Sequence, residues 1–395
     1  MATIGIDFGT TKTIASWVNP KTRVAETLRC FGREAIVPTQ VYIPEDGRMK
    51  FGEDAVLPGS LDPLGTYDKF KLKLGAGDSL VFRQGTEWKA LDLAAKFLQH
   101  VKTTCAVEIG EIERAVVTVP VSFSVAQSEE LLRAAEAAGF EDVKIALEPE
   151  AAAMAYMKMY QCELSRALVV DWGGGTLDTA LIEKNPSGNF VCDRRYSRGR
   201  ADIGGEEMDR KFVDFVMERF REKGVGIPDR KTLLDSSPEE AATGLGELYN
   251  LTKSILKGKC KLDVCESETF YPIGVRGEGI RHNVEISQAD FRQVIKKELD
   301  DACDLVRDVM RSIPRDMLPE KLLLAGGTCR SKVIQDALRE ASGLEIIEWQ
   351  NSREAVSLGA AYLDVTANLE LEQIEDKKSI DRPKYNPLAS RFRNF

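Results

Sequence analysis

The sequence predicts an α/β fold of two related lobes set around a central cleft. Three observations carry this expectation. A strand-and-turn unit occurs twice, as Thr3-Ile4-Gly5-Ile6-Asp7-Phe8-Gly9-Thr10-Thr11-Lys12-Thr13 and as Ala167-Leu168-Val169-Val170-Asp171-Trp172-Gly173-Gly174-Gly175-Thr176-Leu177-Asp178-Thr179. Both copies continue alike, through a second strand, an Asn-Pro turn (Asn19-Pro20, Asn185-Pro186) and a third strand at Arg23–Arg29 and Phe190–Tyr196. At 395 residues the chain is longer than one hydrophobic core normally serves, so two lobes or more are expected.

In each copy an apolar run reads as a buried strand that ends on an aspartate, followed by glycine and threonine. Glycines let backbone N–H groups approach a phosphate, and threonine hydroxyls add uncharged donors. An aspartate at a strand end can hold Mg²⁺, which keeps several of its waters. A tight Gly-Thr hairpin with an N-capping aspartate explains either copy taken alone. The matched pair with a common continuation suits a clamp that grips a polyphosphate from both sides.

Composition narrows the classes. With 43% hydrophobic residues and a mean hydropathy of −0.24, the chain has the make-up of a soluble protein. It has no apolar run of membrane-spanning length and no signal-peptide pattern at the N-terminus. A net charge of −9 and a pI near 5.2 speak against nucleic acid as the main ligand. The eight cysteines are scattered without a C-x-x-C pair, and Cys260 and Cys265 have no histidine near them in sequence. Reduced thiols in a cytoplasm fit that pattern. Only His100 and His282 are available, so chemistry resting on histidine is not expected. No G-x-x-x-x-G-K and no G-x-G-x-x-G occurs.

In chain order, Val37–Glu53 reads as a hairpin, with Gln40–Ile43 and Met49–Phe51 around the turn Asp46-Gly47. Lys69-Phe70-Lys71-Leu72-Lys73-Leu74-Gly75 reads as a solvated cationic face. Leu91–Cys105 has one apolar side and reads as a helix. Ala115–Val119 is a strand stopped by Pro120. Ser124 and Gln127 form a capping box for a helix that runs to Gly139. The strand Val143–Leu147 delivers Glu148-Pro149 to the helix Glu150–Tyr160. Glu148 then projects from a strand–helix junction, where active-site groups of open sheets gather. An acid favoured by the helix dipole reads equally well there. Gly199–Gly205 reads as a glycine-rich turn before the helix Glu206–Lys223, and Ser236–Glu240 as the start of another helix. Ser287 to Asp290 is a capping box for one long helix, Ala289–Ile313. Lys321–Ala325 is a strand ending in Gly326-Gly327-Thr328, with a helix to Gly343. A last helix, Arg353–Asp364, carries Gly359-Ala360-Ala361 for close packing. The tail Glu370–Phe395 reads as poorly ordered.

Five stretches, Ile4–Thr13, Ala115–Gln127, Glu148–Tyr156, Val169–Thr179 and Leu322–Arg330, together resemble the nucleotide-binding domain of the heat shock protein 70 (DnaK-type) chaperones. That family is a branch of the actin–hexokinase ATPase superfamily, and the resemblance spans about residues 1–365. It implies an actin-like ATPase fold: two lobes of duplicated ribonuclease-H-like topology, each a five-stranded sheet, with ATP or ADP in the central cleft. The lobes would be 1–165 (insertion about 37–112) and 166–352 (insertion about 206–286). A C-terminal helix, 353–368, would return to the first lobe, and 369–395 would be a charged tail.

The resemblance also implies roles. Asp7 and Asp171 fall on aspartates that hold Mg²⁺ through water, and Asp178 on a further carboxylate of the cation site, where K⁺ is a second candidate ion. Gly9, Thr10, Thr11, Lys12, Gly173, Gly174, Gly175 and Thr176 line the phosphates. Lys71 matches the lysine that reaches the γ-phosphate, and Glu148 the glutamate near the attacking water. Lys71, Glu148, Asp171 and Thr176 are thus the expected catalytic set. Gly204, Gly205, Lys253, Gly326, Gly327, Thr328 and Arg330 fall around the ribose and adenine. The chain departs from the family at Arg353 (usually aspartate), Asn250 (usually glutamate) and Ser128 (usually the arginine that works with the proline at Pro120). The implied function is slow, Mg-dependent ATP hydrolysis in a domain without a substrate-binding domain. After Asp364 only the charged tail follows, and a naturally short relative and a piece of a longer protein both fit. An actin-like filament former, a sugar kinase and a nucleotide-binding regulator with little turnover are the alternatives. Any partner would be a separate protein docking on the lobes or the tail, with neither nucleic acid nor membrane involved.

Overall fold

The computed structural model describes residues 2–29, 35–160, 164–186, 190–229, 232–233, 236–275, 280–347 and 349–363. The expected tail, and the returning helix from Asp364 onward, lie outside the described residues.

The first sheet has the strand order Asp142–Leu147, Ile112–Val119, Ala2–Phe8, Lys12–Val18, Ala25–Thr27, and Ile36–Pro38 also pairs with Lys12–Val18. The first three of these run parallel; Lys12–Val18 runs antiparallel to them, and Ala25–Thr27 pairs antiparallel with Lys12–Val18. The second sheet repeats the order as Lys321–Ala325, Arg166–Trp172, Leu177–Lys184, Phe190–Arg200. A parallel bridge from Leu322 to Ile346 takes the place of the fifth strand. The two sheets share one topology, the duplicated arrangement of the actin-like ATPase fold. Five regular strands per sheet were expected; among the described residues the first sheet has six, and the second has four plus the bridge.

The central strands are buried on both faces, which is why they read as unbroken apolar runs rather than alternating ones. Ala167 to Trp172 are all buried, as are Ile4, Ile6 and Phe8. Phe8, Phe70 and Phe97 meet in the core of the first sheet. Trp172, Phe212, Phe220 and Phe291 belong to the second core. The expected hairpin after Val37 forms between Val41–Tyr42 and Lys50–Phe51. Capping boxes start helices at Ser124 with Gln127, Ser237 with Glu240 and Ser287 with Asp290.

Three expected elements differ. The strand placed at Arg23–Arg29 covers only Ala25–Thr27, because Arg23 adopts the left-handed conformation and closes a turn onto Asn19. The long helix after Ser287 is two helices, Gln288–Val294 and Lys296–Ser312, divided at the buried Ile295. Gly199 lies in the strand Phe190–Arg200, paired with Asp178, and not in a turn. A Cβ there would sit 2.3 Å from Asp178 Oδ1, so glycine makes the space for that carboxylate.

The last described helix, 355–363, crosses the first lobe. A Cβ on Gly359 would lie 1.6 Å from the Ala151 carbonyl oxygen, and Ser357 Oγ is 2.8 Å from Ser16 Oγ. Among the described residues no helix is long and apolar enough to cross a membrane.

Candidate active site

The duplicated strands end side by side and bring their turns into contact. A Cβ on Gly174 would lie 2.1 Å from Thr11 Oγ1, and one on Gly175 2.6 Å from Thr10 Cβ. Only glycines let the two turns close to this distance. The second turn is tied to its neighbours: Gly205 N donates to Gly173 O (3.0 Å), Glu206 N to Gly174 O (2.9 Å) and Thr328 Oγ1 to Gly173 O (3.0 Å). Thr10, Thr11, Gly173–Gly175, Gly204, Gly205, Gly326 and Thr328 thus lie together.

Register sets the carboxylates. Asp7 pairs with Ile14 and Asp171 with Asp178, equivalent positions of the two hairpins. The second copy therefore carries one acid more than the first. Lys71, on the short turn Phe70–Lys73, is 2% exposed, and its ammonium is 2.9 Å from Glu148 Oε1 and 5.2 Å from the Phe123 ring. The expected cationic face at Lys69–Leu74 is thus divided: Lys71 points inward, while Lys69 and Lys73 are exposed. Glu148 begins the helix Glu148–Tyr160 and is itself buried.

Charge is crowded here. Asp7 is half-buried but walled in by the cleft, and burial, then the Glu148 charge, push it up to about 7 against the partial relief of Lys71. Asp171 is raised by burial first and then by Glu148, Asp7 and Asp178. Asp178 is raised by burial and Glu148, although it accepts a 3.3 Å hydrogen bond from Ser122 N. Its Oδ2 has no hydrogen-bond partner among the described residues. Four carboxylates therefore share one lysine. A hydrated Mg²⁺ suits this all-oxygen donor set. Among the described residues no three His, Cys, Asp or Glu side chains close directly around a metal.

The mouth is bridged by Lys69 Nζ and Glu206 Oε2, 2.9 Å apart, one from each lobe. Lys12 is exposed, and its ammonium is held below its usual range by burial and the Arg353 guanidinium, with Asp209 and Lys259 also felt. Lys259 is paired with Asp209. Asp263 is raised by burial and feels Lys259 and Arg330. Sequence reasoning missed Lys259, Asp209 and Asp263. Lys253, singled out instead, is exposed with its ammonium 5.7 Å from the Tyr249 ring. Asn250 is exposed, and Ser128 is buried, with its hydroxyl donating to Ser124 O.

Fold and site together define a two-lobed α/β protein of the actin-like ATPase class. The family model described as Hsp70 protein matches residues 69–370, well over half of the chain. Similar curated relatives include Chaperone protein DnaK of Thermotoga neapolitana, 28% identical over 362 residues, or 91% of this chain and 58% of the relative. Chaperone protein DnaK of Thermosipho melanesiensis is 29% identical over 360 residues, with the same shares covered. The chain belongs to the Hsp70 family. It spans about 58% of the length of these curated relatives.

Proposed function

We propose that this chain is an Mg²⁺-dependent ATP-binding domain that hydrolyses ATP slowly to ADP and phosphate, with its lobes at 1–165 and 166–352. The observation that carries the reading is the buried Lys71–Glu148 pair set beside Asp7, Asp171 and Asp178 at two facing Gly-Thr turns. In this reading Thr10, Thr11 and Thr176 donate to phosphate oxygens together with the turn amides. Lys71 neutralises the transferring phosphoryl group, and Glu148 orients the attacking water. Asp7 and Asp171 would hold Mg²⁺ through its waters, with Asp178 a further carboxylate of the cation site; the ion would supply charge neutralisation when bound, and K⁺ is a second candidate. Phosphoryl transfer asks for positioning and charge more than covalent help, and these side chains supply both. The Lys71 ammonium, 2.9 Å from Glu148 Oε1, holds that carboxylate in place. The relatives' names, Chaperone protein DnaK, support a chaperone role, with a separate protein docking on the lobes or the tail. We read the chain as cytoplasmic.

Single-turnover phosphate release tests this. Glu148→Ala is expected to keep ATP affinity and lower turnover by about 10²–10⁴-fold, as loss of a positioned acid–base group does. Lost affinity with normal turnover of the bound fraction would return Glu148 to the role of a helix-dipole acid.

A further inference from the structure

The helix Glu148–Tyr160 is shared by both sheets. It follows Asp142–Leu147 of the first sheet and packs on Arg166–Trp172, Leu177–Lys184 and Phe190–Arg200 of the second. Its Ala151, Ala152 and Ala153 lie in one core with Val169, Ala180 and Ile182 of that sheet. Apolar contact of this kind is non-directional. It sets the spacing of the helix, but neither its rotation nor its position along the axis. Glu148 opens the helix, and the aim of its carboxylate depends on both.

Glu150 supplies a directional tie. Phe190–Arg200 is an edge strand of the second sheet, so its outward N–H groups need partners from elsewhere. One of them, Cys192 N, donates to Glu150 Oε1 at 2.8 Å. Glu150 stands in the first turn of the helix, two residues after Glu148, and is 8% exposed. Burial raises its carboxyl, while hydrogen bonding from the Cys192 amide, the Arg194 charge and the Leu147 amide favour the carboxylate. One side chain thus ties the residue before Glu148 to the second sheet. Lys71 holds the Glu148 carboxylate itself, 2.9 Å from Oε1. The backbone and the carboxylate of Glu148 are therefore fixed by different partners.

We propose that Glu150 is a positioning residue for ATP hydrolysis: through its bond to Cys192 N it sets where Glu148 presents its carboxylate to the attacking water. This rests on the ATP reading above and adds to it the group that orients Glu148. A misplacement of about 1 Å at a reacting centre costs on the order of 10²-fold in rate. Glu150 is not part of the two Gly-Thr turns, so loss of the tie acts on turnover and spares nucleotide affinity.

The test is a double-mutant cycle on the full chain in Mg²⁺, read as single-turnover phosphate release, with calorimetric ATP affinity and thermal melting alongside. Glu150→Ala is expected to lower turnover by about 10–10²-fold with ATP affinity unchanged. In the Glu148→Ala background the same change should cost nothing further, because residues that act as a unit are not additive. Glu150→Gln keeps an oxygen for Cys192 N and should recover part of the rate. If Glu150→Ala does not fold, Glu150→Asp, whose carboxylate falls one methylene short of Cys192 N, is read in the same cycle by the same criteria. An equal fold loss in both backgrounds overturns the proposal, and so does normal turnover with a lowered melting point. No recovery in Glu150→Gln, or a loss of ATP affinity that matches the loss of rate, overturns it as well. A wild type that releases no phosphate, or Glu148→Ala as fast as the wild type, overturns the ATP reading and this proposal with it.

Discussion

Asp7 is the most informative residue to perturb. Burial and the Glu148 charge hold its carboxyl at about 7, against an ordinary 3.8. Between those values the folded, metal-free chain keeps a proton that the unfolded chain has released. Folding therefore takes up a proton, and the stability from this group, full below about pH 4, is lost as pH rises through about 7. The gap amounts to as much as roughly 4 kcal/mol, at about 1.4 kcal/mol for each pKa unit. Asp7→Asn keeps the shape and removes the charge. In EDTA at pH 8 the variant should melt several degrees above the wild type, since about 1 kcal/mol moves the midpoint by roughly 2–4 °C in mid-sized domains. At pH 4 the two should coincide. The pH slope of the variant should be shallower but not flat, because Asp171 and Asp178 remain raised. With Mg²⁺ and ATP the same variant should lose hydrolysis. The assay is thermal melting across pH 4–8 with phosphate release alongside. A variant that melts lower than wild type at pH 8, or keeps the full slope, would refute the reasoning.

Other predictions follow from single contacts. Lys71→Met leaves Glu148 buried without its partner and should cost about 3–5 kcal/mol in urea melts, the usual cost of breaking a buried pair; a loss under about 1 kcal/mol would mean the pair is solvated. Lys69→Ala opens the exposed bridge to Glu206, worth at most about 1 kcal/mol. Nucleotide release in stopped flow should therefore quicken up to about fivefold, and high salt should erase the difference. Gly174→Ala forces a Cβ to within 2.1 Å of Thr11 Oγ1, so the turns must part. The variant should fold, with unchanged circular dichroism, but bind ATP weakly; unchanged affinity would mean that the turns do not grip the phosphates. Ser124→Ala removes a helix cap and should cost about 0.5–2 kcal/mol, with hydrolysis unaffected.

Much of the fold was legible because its signals are local. The apolar runs ending at Asp7 and Asp171 mark strands buried on both faces, and the capping boxes at Ser124, Ser237 and Ser287 mark helix starts by residue type alone. The break at Ile295 was not legible, since no proline or glycine announces it. Lys71 could not be separated from Lys69 and Lys73 by periodicity, because a single short turn, Phe70–Lys73, orients it. Gly199 looked like a turn glycine; its reason is a cross-strand neighbour, Asp178. Lys259 and Asp209 meet across a sequence separation of 50 residues. Only tertiary packing makes that pair, and so it was invisible in the sequence.

The central claim is that the two facing turns hold Mg-ATP. Isothermal titration with ATP and ADP, with and without Mg²⁺, tests it most directly when phosphate release is followed on the same samples. Both nucleotides should bind at one site per chain, Mg²⁺ should strengthen binding, and ATP should be released slowly as ADP and phosphate. No heat with either nucleotide, or binding indifferent to Mg²⁺ and to Asp7→Asn and Asp171→Asn alike, would contradict the account.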